Sequence, residues 1–403
     1  MTRKLTSDFT GPLTPDFYQY PWRSLADAAL DGRFIELRWP DGEQLRVFDL
    51  WLWENTVGTT IDPATRESVH DPADLVTEAG ALAVAVTQDG ELSVTWRTGE
   101  QPERYHPGWL HHIALGQHRP TAWIPTQTPW LTSEFGEPPT HDAAELATAE
   151  TDAQFDSVLG PWVEDLVQFG LARLTNLGTD LHLGQRLLSR LGAIRDTNFG
   201  LTWDVRAVVE PDSTANTNFR LAPHTDLPTR ETPPGFQFLH CVSNTAAGGY
   251  STMADGLAVA AHIAEHHPAA YRDLTTLKWV FFNRSPVADH RWSGPIIDLG
   301  VDGSPLTLRA FHPVRAFPDM AEDEIPRAYE ALKLFSETAA DSRFQISYPF
   351  RPGDLVGFDN RRTLHGRDAY ESGGERHLRG LYIDHDEVYS YARLRARATS
   401  ELS

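Results

Sequence analysis

Two metal-binding residue types, His224 and Asp226, stand two positions apart after an apolar segment. In an extended strand, residues i and i+2 point to the same side, so both side chains can bind one ion. A third ligand is expected from His365, which follows a strand-like run at 355–358. Two imidazoles and one carboxylate occupy one face of a metal and leave the other face open, as in non-haem Fe(II) oxygenases. The spacing therefore predicts a metal centre with an open face.

The sequence lacks the motifs of several other catalytic chemistries. The chain contains no Gly-x-x-x-x-Gly-Lys-Ser/Thr phosphate loop, no Gly-x-Gly-x-x-Gly that opens a helix and no Gly-x-Ser-x-Gly nucleophile turn. The single cysteine, Cys241, lies in an apolar strand pattern, where cysteine is usually a small buried hydrophobe. One cysteine also excludes an internal disulfide and a Cys-rich zinc or iron–sulfur site.

The charge and composition of the chain limit the kinds of partner that it is expected to bind. The 403-residue chain has a formal net charge of -21, which argues against binding nucleic acid or an anionic membrane through general electrostatics. Its N-terminus has no apolar run of signal-peptide length, and no later run approaches the length of a membrane span. We therefore predict a cytoplasmic protein that binds small molecules.

Two Asp-Gly turns, at 41–42 and 89–90, predict β-hairpins in the first third of the chain. Each turn lies between segments rich in strand-forming residues, over 34–48 and 81–96 respectively. A Pro- and Thr-rich passage without periodicity follows. We therefore expect three regions, which are a small N-terminal β-rich domain over 1–116, a linker over 117–150 and a catalytic domain over 151–403.

Helical and strand-like patterns alternate in the catalytic region. Apolar residues recur at helical intervals in 155–167 and 325–338, whereas 236–242 and 344–348 are typical of strands. Helical insertions thus separate the strands that carry the expected ligands, as in a jelly-roll core with helices packed outside. The predicted fold class is mainly β with helices (α+β).

Short blocks from residue 199 onwards, spread over most of 155–395, carry a resemblance to a known family. They are Phe199-Gly200, His224-Thr225-Asp226, the run 233–241, Gly248-Gly249, Asp255-Gly256, Phe358-Asp359-Asn360, Leu364-His365-Gly366-Arg367 and Arg376-His377-Leu378. In order and spacing these blocks resemble the γ-butyrobetaine hydroxylase family of taurine dioxygenase-like, 2-oxoglutarate-dependent oxygenases.

The resemblance implies a double-stranded β-helix (jelly-roll) catalytic domain, an Fe(II) cofactor, and 2-oxoglutarate and O2 as co-substrates. His224, Asp226 and His365 would be the iron ligands. Arg376 would hold the distal carboxylate of 2-oxoglutarate, because its planar fork of donors binds a carboxylate bidentately and stays charged. The residues expected to contact 2-oxoglutarate are Arg376, Leu239 and Ser251.

The resemblance also bears on the substrate. A trimethylammonium group cannot donate hydrogen bonds and is best stabilised by the faces of aromatic rings. The family commonly has an aromatic residue eight positions before the first iron ligand, where this chain has Asn216. Tyr382 matches another position of the family's aromatic cage, and Trp203 is a plausible neighbour. We expect these three residues to contact a small zwitterion such as a betaine or a trimethylammonium phosphonate.

In relatives, cysteines that follow the segment corresponding to 50–55 bind zinc together with a distant histidine. The equivalent residues here, 56–61, contain no cysteine. A Cys3His site cannot form without thiolates, so we predict no structural zinc in the N-terminal domain. We interpret the nearby His106 as a structural or exposed residue.

The resemblance also bears on the oligomeric state. Family members are often dimers, so a homodimer is expected.

The resemblance implies hydroxylation of an aliphatic C–H bond with release of succinate and CO2. Desaturation of the same substrate is an alternative, because only the position of the substrate relative to the oxidant separates the two outcomes. A non-catalytic sensor that binds a small anion is a second class. The presence of all three ligands with Arg376 favours the enzyme, since a sensor has no need for an open-faced redox site. Asp226 also disfavours a halogenase, which needs a free position for halide.

Overall fold

The computed structural model describes residues 11–75, 77, 80–97, 99, 101–206, 217–283, 287–370 and 374–401. The chain divides into two compact units, Met1–Ala122 and Trp123–Ser403. None of the helices in the described ranges is long and apolar enough to cross a membrane.

The N-terminal unit contains small antiparallel sheets. Its elements are β1 (Asp27–Asp31), β2 (Phe34–Arg38), β3 (Gln44–Phe48), α1 (Asp49–Glu54), β4 (Ala81–Val86), β5 (Leu92–Trp96), β6 (Glu103–Tyr105) and α2 (Pro107–Ala114). The strands form one sheet in the order β1-β2-β3 and another in the order β4-β5-β6. Both Asp-Gly hairpins are present, and Gly42 and Gly90 have the positive φ angles, 98° and 84°, that such turns need.

Polar side chains around residues 56–61 are used in local hydrogen bonds. The hydroxyl groups of Thr56 and Tyr105 are bonded to each other in the interior of the N-terminal unit. His106 is buried, and its Nδ1 accepts hydrogen bonds from the backbone N–H groups of Gly108 and Trp109, at 3.1 and 3.2 Å. His106 therefore caps the first turn of α2, which is a structural role.

The C-terminal unit has a β core with helices outside it. Its helices are α3 (Asp152–Phe169), α4 (Leu183–Leu188), α5 (Gly256–His266), α6 (Pro268–Thr276), α7 (Ile325–Ala340) and α8 (His385–Glu401). Its strands are β7 (Thr140–Asp142), β8 (Leu171–Thr175), β9 (Trp203–Val205), β10 (Leu221–His224), β11 (Phe236–Asn244), β12 (Ser251–Asp255), β13 (Trp279–Phe282), β14 (Arg291–Gly294), β15 (Ile297–Leu299), β16 (Pro305–Leu308), β17 (Gln345–Tyr348), β18 (Leu355–Asp359), β19 (Thr363–Arg367) and β20 (Arg376–Ile383).

Two sheets enclose the core of this unit. The larger sheet has the strand order β7-β8-β18-β11-β20-β9, and the smaller has the order β10-β19-β12-β17. Apolar side chains from both sheets, including Leu239, Phe358 and Leu378 of the larger and Met253 and Tyr348 of the smaller, form one buried cluster. This arrangement agrees with the predicted jelly-roll core.

Helices cover the outer faces of both sheets. On the larger sheet, α3 and α8 pack through Trp162, Leu166 and Val388 against strand residues such as Phe238. On the smaller sheet, α5, α6 and α7 bury residues such as Phe335 with the outward side chains of β12 and β19. Because both outer faces are covered, polar side chains on the inner faces are confined to the space between the sheets.

Residues 117–150, the expected linker, contribute to the C-terminal unit. Residues 140–142 form β7, which pairs in parallel with β8 at the edge of the larger sheet. Trp130 is buried, and its indole N–H donates to the backbone oxygen of Phe169 at 2.8 Å. The sequence did not predict these elements, because a three-residue strand and a single buried tryptophan produce no periodic pattern and their partners lie far away in the sequence. The boundary between the compact units falls at Ala122, ahead of most of this segment.

Candidate active site

The expected metal ligands converge at one end of the smaller sheet. His224 ends β10 and faces His365 across the antiparallel pair with β19, with their ring centroids 4.1 Å apart. Asp226 lies just beyond β10, and its Oδ1 is 3.5 Å from Nε2 of His224 and 3.7 Å from Nε2 of His365. The three potential ligand atoms all lie within 4.8 Å of one another. Within the described part of the chain, no other such group of three acidic, histidine or cysteine residues occurs.

The orientation of each imidazole is fixed by its surroundings. Nδ1 of His224 lies 2.9 Å from the backbone oxygen of Ala222, so Nδ1 carries the proton and Nε2 offers its lone pair. The ring of Phe311 stacks on His224 at a centroid distance of 4.9 Å. Phe358 reaches from the larger sheet to within 4.7 Å of the His365 ring. These contacts restrict rotation of both rings, and the bond to Ala222 fixes the tautomer of His224.

Asp226 is held from two sides. Its backbone N–H donates to Oδ1 of Asn360 at 2.7 Å, and Nδ2 of Asn360 donates to the Asp226 carbonyl oxygen at 3.1 Å. The hydroxyl group of Tyr382, which lies on the larger sheet, donates to Oδ2 of the carboxylate at 2.7 Å. Because Oδ2 is engaged by this bond, Oδ1 is the oxygen that faces the two imidazoles.

The charges of these groups suit a cation. Burial, followed by the charge of His224, lowers the pKa of His365 to about 3, so its imidazole is neutral at physiological pH. Burial acts to raise the pKa of Asp226, but the adjacent His365 and His224 outweigh it and hold that pKa below its usual value. Burial, and then the nearby Asp226 carboxylate, raises the pKa of Tyr382, which therefore stays a protonated donor. Neutral imidazoles and an ionised carboxylate are the states that bind metal.

A second polar group contains two arginines, Arg376 from the larger sheet and Arg367 from the smaller sheet. Arg376 begins β20 and is buried, yet its Nε has no hydrogen-bond partner and no carboxylate of the described residues pairs with it. Burial, and then the charge of Arg367, lowers the pKa of Arg376 to about 10. Arg367 is also buried and donates to the backbone oxygens of Thr217 and Phe219, at 2.7 and 3.0 Å. A buried guanidinium group without a counter-ion marks a site for an anionic ligand.

The other residues expected near 2-oxoglutarate lie on neighbouring strands. Ser251 is buried at the start of β12 and is the strand-register partner of Arg367. Leu239 lies on β11 opposite Gly380 and packs in the apolar cluster between the sheets. Ser251 is therefore placed beside Arg367, whereas Leu239 contributes apolar surface to the interior.

Aromatic side chains extend from the metal ligands toward the surface. The rings of Trp203 and Tyr382 lie 4.2 Å apart with an interplanar angle of 30°, and Phe199 lies 6.3 Å from Trp203. Trp203 approaches β20 closely because Gly380 has no side chain; a Cβ there would lie 2.5 Å from the indole. The structure thus joins two of the expected substrate contacts and adds Phe199. Asn216, the third, lies outside the described residues.

Sequence reasoning missed other polar groups of the site. Asn360, which clamps Asp226, lies in the Phe358-Asp359-Asn360 block, but its role depends on a contact between distant segments. Gln237 is buried, is the register partner of Tyr382 and leaves its Oε1 without a partner among the described residues. The glutamine inside the apolar run 236–242 could have indicated this group, because a polar side chain at a buried strand position usually has a hydrogen-bond partner or a functional role.

Comparisons with known proteins show the family to which the chain belongs. The model of the taurine catabolism dioxygenase TauD, TfdA family matches residues 136–382. The chain belongs to this family. It is 35% identical to a gamma-butyrobetaine dioxygenase of Pseudomonas sp. (strain AK-1) over 381 residues, which are 93% of this chain and 97% of that protein. A trimethyllysine dioxygenase of Meyerozyma guilliermondii is 24% identical, over 91% of this chain and 94% of that protein.

Among solved structures, an asparagine oxygenase in complex with Fe(II), 2S,3S-3-hydroxyasparagine and succinate is 20% identical, with a TM-score of 0.47, over 60% of this chain and 82% of that chain. The family resemblance inferred from the sequence blocks is confirmed by the family match and the full-length relatives. This member of the TauD, TfdA family is an Fe(II)- and 2-oxoglutarate-dependent dioxygenase. The alternative of a non-catalytic sensor is therefore set aside.

Proposed function

We propose that the enzyme hydroxylates an aliphatic C–H bond of a small zwitterion with a quaternary ammonium group, such as a betaine or a trimethylammonium phosphonate. The observation that carries this proposal is the continuous path from the aromatic rings to the metal ligands. Trp203 stacks on Tyr382, and Tyr382 is bonded through its hydroxyl group to Asp226. A cation held on these ring faces places the rest of a short substrate near the open face of the ligands. The relatives are named for butyrobetaine and trimethyllysine, which share such a cation.

The donor sets fit the two groups that the family uses. His224, Asp226 and His365 would hold Fe(II), since they offer two imidazole nitrogens and one carboxylate oxygen within 4.8 Å. Arg376 would hold the distal carboxylate of 2-oxoglutarate, because its buried guanidinium group has no carboxylate partner among the described residues. Together with O2, these groups supply the oxidant for an unactivated C–H bond and release succinate and CO2.

The protein contributes to the reaction by positioning the metal ligands and the substrate and by excluding water from the site. Asn360 fixes the backbone of Asp226. Tyr382 binds one oxygen of the Asp226 carboxylate, so that only the other oxygen faces the imidazoles. Phe311 and Phe358 pack against the imidazole rings, so apolar surface surrounds the ligand atoms. The C–H bond closest to the open face is the one that reacts, and the aromatic contact with the cation selects it.

The test is succinate release by anaerobically iron-loaded protein after O2 is admitted with 2-oxoglutarate. We expect γ-butyrobetaine or 2-(trimethylammonio)ethylphosphonate to stimulate succinate release, and mass spectrometry to find one added oxygen atom in the product. The matched control is 4-aminobutyrate, which has the chain length of γ-butyrobetaine but lacks its methyl groups. Equal stimulation by 4-aminobutyrate would contradict recognition of a quaternary ammonium group.

Tyr382→Phe separates the two roles of this residue, because it removes the hydroxyl group and keeps the ring. We expect the affinity for Fe(II) to fall by roughly 10- to 100-fold, as for other groups that orient a metal ligand. The KM for a quaternary ammonium substrate should change little, since the ring face remains. An iron titration and steady-state kinetics measure both. Tyr389→Phe, which removes a hydroxyl group that accepts a hydrogen bond from Nε2 of Gln127, is the matched control; equal iron affinities in both variants would refute the positioning role.

The homodimer, the cytoplasmic location and the domain boundaries 1–116, 117–150 and 151–403 stay predictions from the sequence. Residues 56–61 carry no thiolate, so the proposal includes iron as the metal of the active site and no zinc in the N-terminal unit.

A further inference from the structure

The turn that follows β10 is held in one conformation. Leu227 has a φ of 53°, in the left-handed region, and the backbone N–H of Arg230 donates to its carbonyl oxygen at 3.2 Å. The fully buried guanidinium group of Arg309 donates to the carbonyl oxygens of Pro228, Arg230 and Glu231, at 2.9, 2.6 and 2.7 Å. These bonds satisfy three carbonyl groups of one short turn. These bonds therefore fix the backbone of the turn that carries Arg230.

Arg230 itself has no counter-ion among the residues that the structure describes. Its terminal nitrogen donates to Oδ1 of Asn198 at 2.9 Å, whereas its Nε is buried without an acceptor among the described residues. No described carboxylate pairs with it. The neighbouring Arg195, by contrast, is bonded to Asp384 at 2.7 Å. Burial, and then the charge of Arg195, lowers the pKa of Arg230.

This isolation is unusual for the composition of the chain. The sequence has 56 acidic residues and only 35 lysines and arginines, so a carboxylate is available for most cations. Without a counter-ion from the described part of the chain, a partly buried guanidinium group beside a second cation costs free energy in the ligand-free protein. An anion from outside the protein would remove this cost.

Arg230 is also connected to the aromatic residues through its neighbours. Its partner Asn198 immediately precedes Phe199 in the sequence. The ring of Phe199 lies near that of Trp203, which in turn packs on Tyr382. Tyr382 is bonded to Asp226, and the turn after Asp226 leads back to Arg230. Arg230 is thus linked to the aromatic residues by two routes, through Asn198 to Phe199 and through the turn after Asp226 to Tyr382.

We propose that Arg230 binds the anionic group of the substrate, a carboxylate or a phosphonate, while the aromatic rings hold its cationic group. This inference rests on the proposed function and deepens it, because it explains how one zwitterion is oriented at both ends. A guanidinium fork offers paired donors with the geometry of either oxyanion. Arg230 is separate from Arg376, which begins β20 and lies beside Arg367.

The experiment measures binding to the enzyme loaded anaerobically with Fe(II) and 2-oxoglutarate, so that no turnover occurs. Calorimetry compares γ-butyrobetaine, 2-(trimethylammonio)ethylphosphonate and butyltrimethylammonium, which keeps the cation but has no anion. In Arg230→Gln, we expect both zwitterions to bind about 10- to 100-fold more weakly, the loss typical of one charge-assisted contact. Butyltrimethylammonium should bind the variant and the wild type alike. The larger loss identifies which oxyanion the site prefers.

Arg186→Gln is the matched control, because Arg186 is an exposed arginine on α4 paired with Asp180. Arg230→Lys keeps the charge without the fork and should recover part of the affinity. If Arg230→Gln weakens all three probes equally, or none of them, Arg230 does not bind the anion, although the proposed function stands. If the wild-type enzyme binds neither zwitterion, both the substrate class and the anion site are refuted.

Discussion

Replacing His365 with alanine is expected to remove tight Fe(II) binding and to lower kcat/KM by at least about 1,000-fold, which corresponds to about 4 kcal/mol of transition-state stabilisation. His365 lies directly across from His224 and contributes one of the three ligand atoms. With one imidazole missing, the remaining imidazole and carboxylate no longer occupy one face of the metal. Metal analysis after gel filtration and succinate release measure the two effects.

The control for this variant is His266→Ala, since His266 lies on the exposed surface of α5. His365→Gln keeps most of the side-chain volume, so it separates loss of the ligand from loss of packing in the buried site. Both His365 variants should lose iron while their thermal unfolding without metal stays close to that of the wild type. Full iron occupancy in His365→Gln, with normal turnover, would show that the metal lies elsewhere.

Arg376→Leu is expected to weaken 2-oxoglutarate binding by about 2–4 kcal/mol, roughly 30- to 1,000-fold in Kd. The same change should leave the thermal stability of the ligand-free protein unchanged or higher. The reason is that Arg376 is buried without a carboxylate partner among the described residues, so its removal breaks no ion pair with them and relieves repulsion with Arg367. Thermal unfolding with and without 2-oxoglutarate measures both expectations.

Arg379→Leu is the matched control on the same strand. Arg379 is bonded to Asp204 at 2.8 Å, on the face of β20 opposite to that of Arg376. Its removal should lower the thermal stability and leave 2-oxoglutarate affinity close to normal. If Arg376→Leu destabilised the ligand-free protein and kept the affinity, Arg376 would be a structural residue and the anion site would be elsewhere.

Local patterns in the sequence predicted several elements well. The apolar period of 155–167 marks α3, which extends from a capping box at Thr151 to Gly170, whose φ is 69°. The run 236–242 corresponds to β11, where one face packs under α3 and the other faces the core. His224 and Asp226 were recognisable because a two-residue spacing on an extended segment places both side chains together.

Other features could not be predicted because they depend on distant partners. The strands β13 to β16 are short, and each pairs only within a small two-stranded sheet. The bond from Tyr382 to Asp226 joins the two sheets, and no spacing in the sequence predicts that a tyrosine from an aromatic cage would orient a ligand. Likewise, no local pattern predicts that Arg230 has an amide, Asn198, rather than a carboxylate as its side-chain partner among the described residues.

The order of strands in the smaller sheet makes iron retention a sensitive indicator of local opening. β10, which carries His224, is the outermost strand of that sheet and pairs with β19 alone. An edge strand can detach without unfolding of the whole domain, because few hydrogen bonds hold it. Detachment of β10 would remove His224 and leave His365 in place, so the metal would be released while the rest of the sheet persists. Nor does a nascent chain that ends before β19 contain the complete ligand set, so the three-ligand iron site can form only after β19 has been synthesised.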